Sequence, residues 1–519
     1  MNRLRDRSGP IEPITRTVPA LMNIASHYGG TLATATVVLL LTPLMIHKLG
    51  AVGFGLWSLC LSIGEYLNLA GLGTRTAIIK YAAEHQARGD AQKAGEVVQA
   101  TVLGRAAAGL VAFAASALLS AFLLPHLRIP AESLPTAQRL LLIVGAGAAI
   151  NLPLGVSGAL LEGLHRYDLL NWLRIAHAVV RAGGIAAVLV QGHGLLAVCL
   201  VDVAAMVLLN LARFVAAGRI HERLVTAGIP SAGVVRAVYG FSLWCGVRDI
   251  AVAVVERAND LMLAVFVSTA SIASYNIASR AGAIPVEIVV PLVVIFLPLA
   301  SEMKALGSVE RLRELFLSGS KAALAFALPL GLILAIGART VVTVWIGEGY
   351  DEAIPVLRIL AIRSVLVAVS LPSESLLMGT GSIRAMAAVL SGQGLFAVAL
   401  GLALIGPYGP AGLATASTLS AALFTLAVLT PLACRSAGVT LGAWLREAIR
   451  PAVLPGLALG IPALILRPLL DGAPAPVLGA VAALLCGVYV VLMIVTGLTP
   501  HEKEQYALRI RMLLSRAPE

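Results

Sequence analysis

The stretch GTRTAIIKYAAEHQARGD, residues 73–90, is a charged island in an apolar chain. It carries Arg75, Lys80, Glu84, His85, Arg88 and Asp90 within a few helical turns. Ile78, Ile79, Ala82 and Ala83 cluster, while Lys80, Glu84 and Arg88 recur at i+4 steps, a pattern suited to a helix lying on a membrane surface. The island has an echo. Tyr81-Ala82-Ala83-Glu84-His85 compares with Leu299-Ala300-Ser301-Glu302-Met303, and Gly89 and Gly307 each follow the acid by five residues, an offset of 218. Two more echoes follow in chain order. Leu160-Leu161-Glu162-Gly163 matches Leu376-Leu377-Met378-Gly379 at an offset of 216, and Gly194-Leu195-Leu196-Ala197 matches Gly409-Pro410-Ala411-Gly412 at 215. Three ordered matches predict two similar halves, 20–218 and 232–436, joined by a loop at 219–231.

Composition says what the halves are made of. The 519 residues are 59% hydrophobic and 13% charged, with mean hydropathy +0.91. Soluble domains carry about 25% charged residues, so repeated apolar runs of twenty or more residues predict an all-α polytopic membrane protein. Barrel strands need only about 10 alternating residues each. The net charge of +11 does not point to nucleic acid, because the basic residues concentrate in short loops and termini. Cys60, Cys199, Cys245, Cys434 and Cys486 fall in or beside apolar runs without metal spacing, which predicts buried free thiols. No phosphate-binding GxxxxGK[ST], HExxH or paired-cysteine signature is present, so the reading is of a non-enzyme without cofactor or metal.

Fourteen helices are expected, near 20–46, 53–70, 96–124, 138–163, 168–190, 194–215, 237–265, 270–298, 317–338, 353–378, 385–405, 409–433, 450–469 and 475–497. Each half holds six, an even number, so both share one orientation and their symmetry axis runs along the membrane normal. Residues 437–499 form an appended pair of helices, flanked by tails 1–19 and 500–519. With the N-terminus in the cytoplasm, about 26 Lys and Arg lie inside and about 6 outside. Both tails are therefore expected to be cytoplasmic.

Charge inside a bilayer costs at least about 2.5–3.5 kcal/mol per residue at a helix centre. The seventh helix carries Arg248, Asp249, Glu256, Arg257 and Asp260, of which Asp249, Glu256 and Asp260 share one face at i, i+7, i+11. Such groups are expected to line an interior cavity. Arg105, Arg181, Arg248, Arg257, Arg280 and Arg363 are candidates to hold a phosphate or pyrophosphate through forked hydrogen bonds. Glu65, Asp249, Glu256, Asp260 and Glu374 are candidates to take a coupling H+ or Na+. Structural ion pairs, such as Arg257 with Asp260 at i+3, compete with that reading. His27 and Asn23 read as packing residues.

At this point the residues suggest a family. LGAVGFGLWSLCLSIGEYLNLAGLGTRTAIIKYAAE (49–84) resembles the early region of polysaccharide-repeat-unit (Wzx-type) flippases of the multidrug/oligosaccharidyl-lipid/polysaccharide exporter superfamily. RANDLMLAVFVSTASIASYNIASR (257–280) resembles their midpoint, with Asn259, Asp260, Tyr275 and Arg280 at motif positions, and VWIGEGYDEAIPVLRIL (344–360) resembles their Trp-x-Gly-x-x-Tyr segment. The resemblance implies a monomer with two six-helix lobes around a central cavity. It also implies alternating-access flipping of a polyprenyl-pyrophosphate-linked oligosaccharide across the bacterial inner membrane, alongside a polysaccharide polymerase and export machinery. Ala70 stands where the family has an acid, leaving Glu65 as the nearest carboxylate. A cation-coupled drug antiporter of the same superfamily is the alternative. A membrane glycan polymerase would need larger outer loops than those near 47–52, 125–137, 339–352 and 470–474.

Overall fold

The computed structural model describes residues 17–71, 73–87, 90–164, 166–220, 230–293, 296–465 and 474–497. Both tails, most of the inter-lobe loop and the side chains of His27 and Asn23 lie outside the described residues. Helices account for nearly all of the rest, and no strand occurs among the described residues.

A 52-residue helix, Thr17–Asn68, opens the chain. Left straight, it would run roughly 78 Å, far beyond a hydrocarbon core of about 30 Å. Gly50, at φ 72°, breaks it into α1 (17–49) and α2 (51–68), a backbone conformation that glycine adopts without a Cβ penalty. Gly409, at φ 54°, likewise divides 383–424. Among the described residues eleven helices are long and apolar enough to cross a membrane, or twelve if the pair Thr269–Gly282 and Ile284–Val293, bent by 43°, is one span. With that pair counted as one span and each glycine-broken helix as two, the described residues hold fourteen candidate spans. The helices at 309 and 441 start eight and nine residues before the expected positions. Charged residues near their starts, Glu310 to Glu314 in the first and Arg446 and Glu447 in the second, lower the hydropathy there while the backbone stays helical.

In chain order the first half continues with α3 (Thr74–Ala87), α4 (Ala91–Leu118), α5 (Leu134–Leu154), α6 (Val156–Gly163), α7 (Tyr167–Val190) and α8 (Leu195–Ile220). The second holds α9 (Ala232–Phe266), α10 (Thr269–Gly282), α11 (Ile284–Val293), α12 (Phe296–Ala305), α13 (Val309–Ile336), α14 (Ala338–Trp345), α15 (Ala353–Gly379), α16 (383–408) and α17 (410–436). The third span packs along the fourth in each half, α4 on α5 and α13 on α15. The quoted repeats build the same joint twice. A Cβ on Gly163 would lie 3.2 Å from the Ile79 carbonyl oxygen of α3, and one on Gly379 would lie 2.7 Å from the Leu297 carbonyl oxygen of α12. Glycine at that position lets each short helix press its backbone onto the fourth span. α18 (Leu441–Ile465) and α19 (Ala475–Leu492) dock on α13, and the Lys321 ammonium donates to the Gly497 carbonyl at 3.3 Å.

One expectation changes here. α3 is not spread on a lipid surface. Ala77 and Ile78 are fully buried, and α3 packs against α4, α6 and α9, while Arg75 bonds Glu162 of α6 at 2.5 Å. Its apolar face is turned to protein, at the seam between the halves.

The halves touch at both ends of that seam. On the α3 side, a Cβ on Gly104 would fall 1.5 Å from the Tyr239 hydroxyl of α9, and Ala77, Val97 and Val238 pack together. On the opposite side, a Cβ on Gly55 would fall 1.9 Å from the Thr269 carbonyl oxygen, and the Arg128 amide donates to the Ala264 carbonyl at 2.8 Å. Gly55→Val should therefore push α2 from α10 and lower the melting temperature of detergent-purified protein, by the equivalent of about 1–3 kcal/mol for overpacking. A fluorescent reporter that matures only in the cytoplasm should light up when fused after residue 519 and stay dark when inserted at residue 349.

Candidate functional site

Where α2 meets α9, Asp260 is 5% exposed. It accepts from the Ser62 hydroxyl at 2.5 Å and from the Asn276 amide at 2.9 Å. One turn away, Arg257 forks onto Glu65, with Nε to Oε2 at 2.5 Å and Nη2 to Oε1 at 2.8 Å. The expected Arg257–Asp260 pair is thus replaced by a bond between the halves. The helix places the two groups on adjacent turns, but the Arg257 fork closes on Glu65 of α2 while Asp260 is held by Ser62 and Asn276.

Arg280 sits beside this seam. Its Nη1 donates to Thr42 Oγ1 at 2.8 Å, and its guanidinium lies 5.1 Å from the Phe54 ring centroid and 5.3 Å from that of Trp57. No carboxylate among the described residues pairs with it. Arg181 is ion-paired with Asp202 between α7 and α8. Ser62, Glu65, Arg181, Arg257, Asn276 and Arg280 line an inter-lobe pocket of about 160 Å³.

A larger cavity of about 420 Å³ opens within the first half, lined by Glu65, Asn68, Arg105, Asn151, Asp202, Asn210 and Arg213 among others. Leu61 and Glu65 border both spaces, so the two adjoin. Together they present five arginines against two carboxylates, Glu65 and Asp202. In a low-dielectric enclosure that imbalance favours an anionic guest.

Of the six candidate arginines, Arg105, Arg181, Arg257 and Arg280 line these two spaces. Arg248 and Arg363 do not border them. Arg248 bonds Asp249 at 3.1 Å, and each has a buried Nε without a hydrogen-bond partner. The three acids sharing a face of α9 diverge. Asp260 enters the seam, Asp249 pairs with its sequence neighbour, and Glu256 is exposed. Glu374 accepts from Ser370 at 2.9 Å. Asn259, beside Asp260, donates to Tyr275 at 2.7 Å and to Ser417 at 3.1 Å, which ties α9 to α10 and α17. Sequence reading missed Arg213, which lies near the end of an apolar run and reads as a loop-side cation. Its one available signal was Asn210 at i−3, whose side-chain oxygen accepts from its Nη1 at 3.3 Å.

The sequence profile of a family described as "Polysaccharide biosynthesis protein" matches residues 20–304. No curated protein sequence matches. Among solved structures, the chain is similar to the lipid II flippase MurJ in an inward closed conformation, with TM-score 0.69 and 12% identity over 90% of this chain and 98% of that one. It is also similar to an inward-facing multidrug-resistance MATE transporter of the MOP superfamily, with TM-score 0.61 and 14% identity over 81% and 98%. A MOP-superfamily transporter from Pyrococcus furiosus, described as having a binding pocket of reversed polarity, gives TM-score 0.55 and 16% identity over 80% and 94%. At these identities the likeness is one of fold.

Removing the Asp260 carboxylate strands two buried partners, at about 1–3 kcal/mol each. The part-exposed Glu65–Arg257 pair is worth about 0.2–1 kcal/mol after screening. Thermal unfolding should therefore show a larger loss for Asp260→Ala than for Glu65→Ala.

Proposed function

Since the chain belongs to the polysaccharide biosynthesis protein family, we infer that it is a flippase for polyprenyl-pyrophosphate-linked oligosaccharide repeat units. It moves them from the inner to the outer leaflet of the bacterial inner membrane, by alternating access. The observation that carries this reading is the pocket around Arg280, a guanidinium held by one hydroxyl and two aromatic faces and with no carboxylate partner among the described residues. Pyrophosphate oxygens accept forked, charge-assisted bonds from such a group. Arg257 and Arg181 stand at the same pocket, each already paired with an acid. A pyrophosphate outcompetes those single carboxylates, takes over the guanidiniums and frees Glu65 from Arg257. That weakens the bond between the lobes where they must part. The charged head crosses through the enclosed space while the polyprenyl tail stays among acyl chains, so neither is exposed to the wrong medium. The coupling ion, H+ or Na+, is assigned to carboxylates along the α2–α9 seam, because charge there biases one lobe arrangement over the other. The glycan polymerase and export machinery follow it in the pathway. The similarity to a lipid II flippase supports a lipid-linked cargo. Organic cations, the cargo of an antiporter reading, are repelled by five arginines.

The test is leaflet accessibility of a defined lipid-linked oligosaccharide in liposomes containing the purified protein. Arg280→Ala should slow translocation roughly 10- to 100-fold, the loss of one charge-assisted hydrogen bond of about 1.5–3 kcal/mol. Wild-type rates in both Arg280→Ala and Arg257→Ala would remove the reading.

A further inference from the structure

The inter-lobe pocket leaves the larger cavity unexplained, and neither of its two arginines is ion-paired with an acid among the described residues. Arg105 makes no hydrogen bond or ion pair with any described residue, and its Nε is buried without a partner. Its guanidinium rests against Gly71, where a Cβ would lie 3.2 Å from both Nε and Nη2, so the backbone gives it room without giving it a counter-charge. Arg213 has a buried, unpartnered Nε as well. Its one hydrogen bond among the described residues is to Asn210, which in turn donates to Asn151 at 2.9 Å. The cavity's two carboxylates are committed elsewhere, Glu65 to Arg257 and Asp202 to Arg181.

A guanidinium kept inside a membrane protein without an anion is costly. Two such groups facing one polar cavity mark a place where an anion arrives with the cargo. The cavity's size separates it from the pyrophosphate pocket. At about 420 Å³ it falls within the roughly 300–1,000 Å³ of small-molecule sites, whereas about 160 Å³ suits a compact group. The two spaces meet at Glu65, so one substrate reaches both, its pyrophosphate at Arg280 and its sugars in the first lobe. Amide side chains beside the arginines match sugar hydroxyls, and the guanidinium fork matches a carboxylate. We propose that the first-lobe cavity is an acidic-sugar subsite, in which Arg105 and Arg213 bind the carboxylate of a uronic-acid residue in the transported repeat unit. This rests on the flippase reading and narrows it to anionic glycans.

Direct binding to detergent-purified protein tests it without requiring transport. The probes are a lipid-free trisaccharide containing glucuronic acid, its all-glucose counterpart, and inorganic pyrophosphate. Wild type should bind the acidic trisaccharide roughly tenfold or more above the neutral one, as expected for a charge-assisted contact. Arg105→Gln and Arg213→Gln should each erase that preference and leave pyrophosphate affinity unchanged. Arg105→Lys and Arg213→Lys, which keep charge and lose the fork, should retain a reduced preference, and this separates a lost contact from a lost fold. Equal binding of the two trisaccharides by wild type would overturn the proposal. Loss of pyrophosphate binding in the glutamine variants would also overturn it, by assigning these arginines to the diphosphate. In liposomes, an intact acidic-sugar preference without translocation would sink the flippase reading and leave the subsite standing.

Discussion

Charge cannot rest against acyl chains, and this chain carries more intramembrane arginine than its own carboxylates neutralise. That constraint organises the molecule. The α2–α9 seam is where it is met most fully: Asp260 buried between Ser62 and Asn276, and Arg257 forked onto Glu65. The Ser62–Asp260 and Arg257–Glu65 bonds join the two halves, and Asn276 anchors Asp260 from its own half. The polar groups that lipid would reject thereby become the contacts that hold the lobes together and enclose a space between them.

The enclosure depends on close backbone approach as much as on charge. Gly55 and Gly104 sit where the lobes touch at opposite ends of the seam, each too near a neighbour to carry a side chain. Closure at both ends around two adjoining cavities is the arrangement a carrier passes through between its open states. A moving carrier needs contacts strong enough to define a state and weak enough to yield. A part-exposed ion pair meets that demand better than a dry apolar interface, because an anionic cargo can replace one of its partners.

Much of this was legible beforehand. The spans follow from apolar runs, since lipid imposes a length and leaves helices as the way to satisfy the backbone. The internal echoes were legible too, and their physical content is a joint: Gly163 and Gly379 each receive the backbone of a short helix in its own lobe. The short helix itself was only half legible. Its periodicity marks an apolar face, but periodicity does not say whether lipid or protein meets that face: α9 helps to cover Ala77, while Ile78 is buried against α4 and α6 of its own half. Within the site, Arg257 and Glu65 are 192 positions apart, so their pairing left no local trace. Arg213 looked like a loop-side cation because the one residue that holds it is an asparagine on its own helix.

By itself the sequence determined that the chain is an all-α polytopic membrane protein, and it predicted two similar halves with arginines turned to the interior. These follow from composition and period, properties each segment carries alone. The tertiary structure alone decided which arginines share a space, which carboxylates are already taken, and that Arg105, Arg213 and Arg280 are left without one among the described residues. Pairing is a matter of three-dimensional proximity between distant helices, and it depends on how two lobes close, which no local pattern encodes.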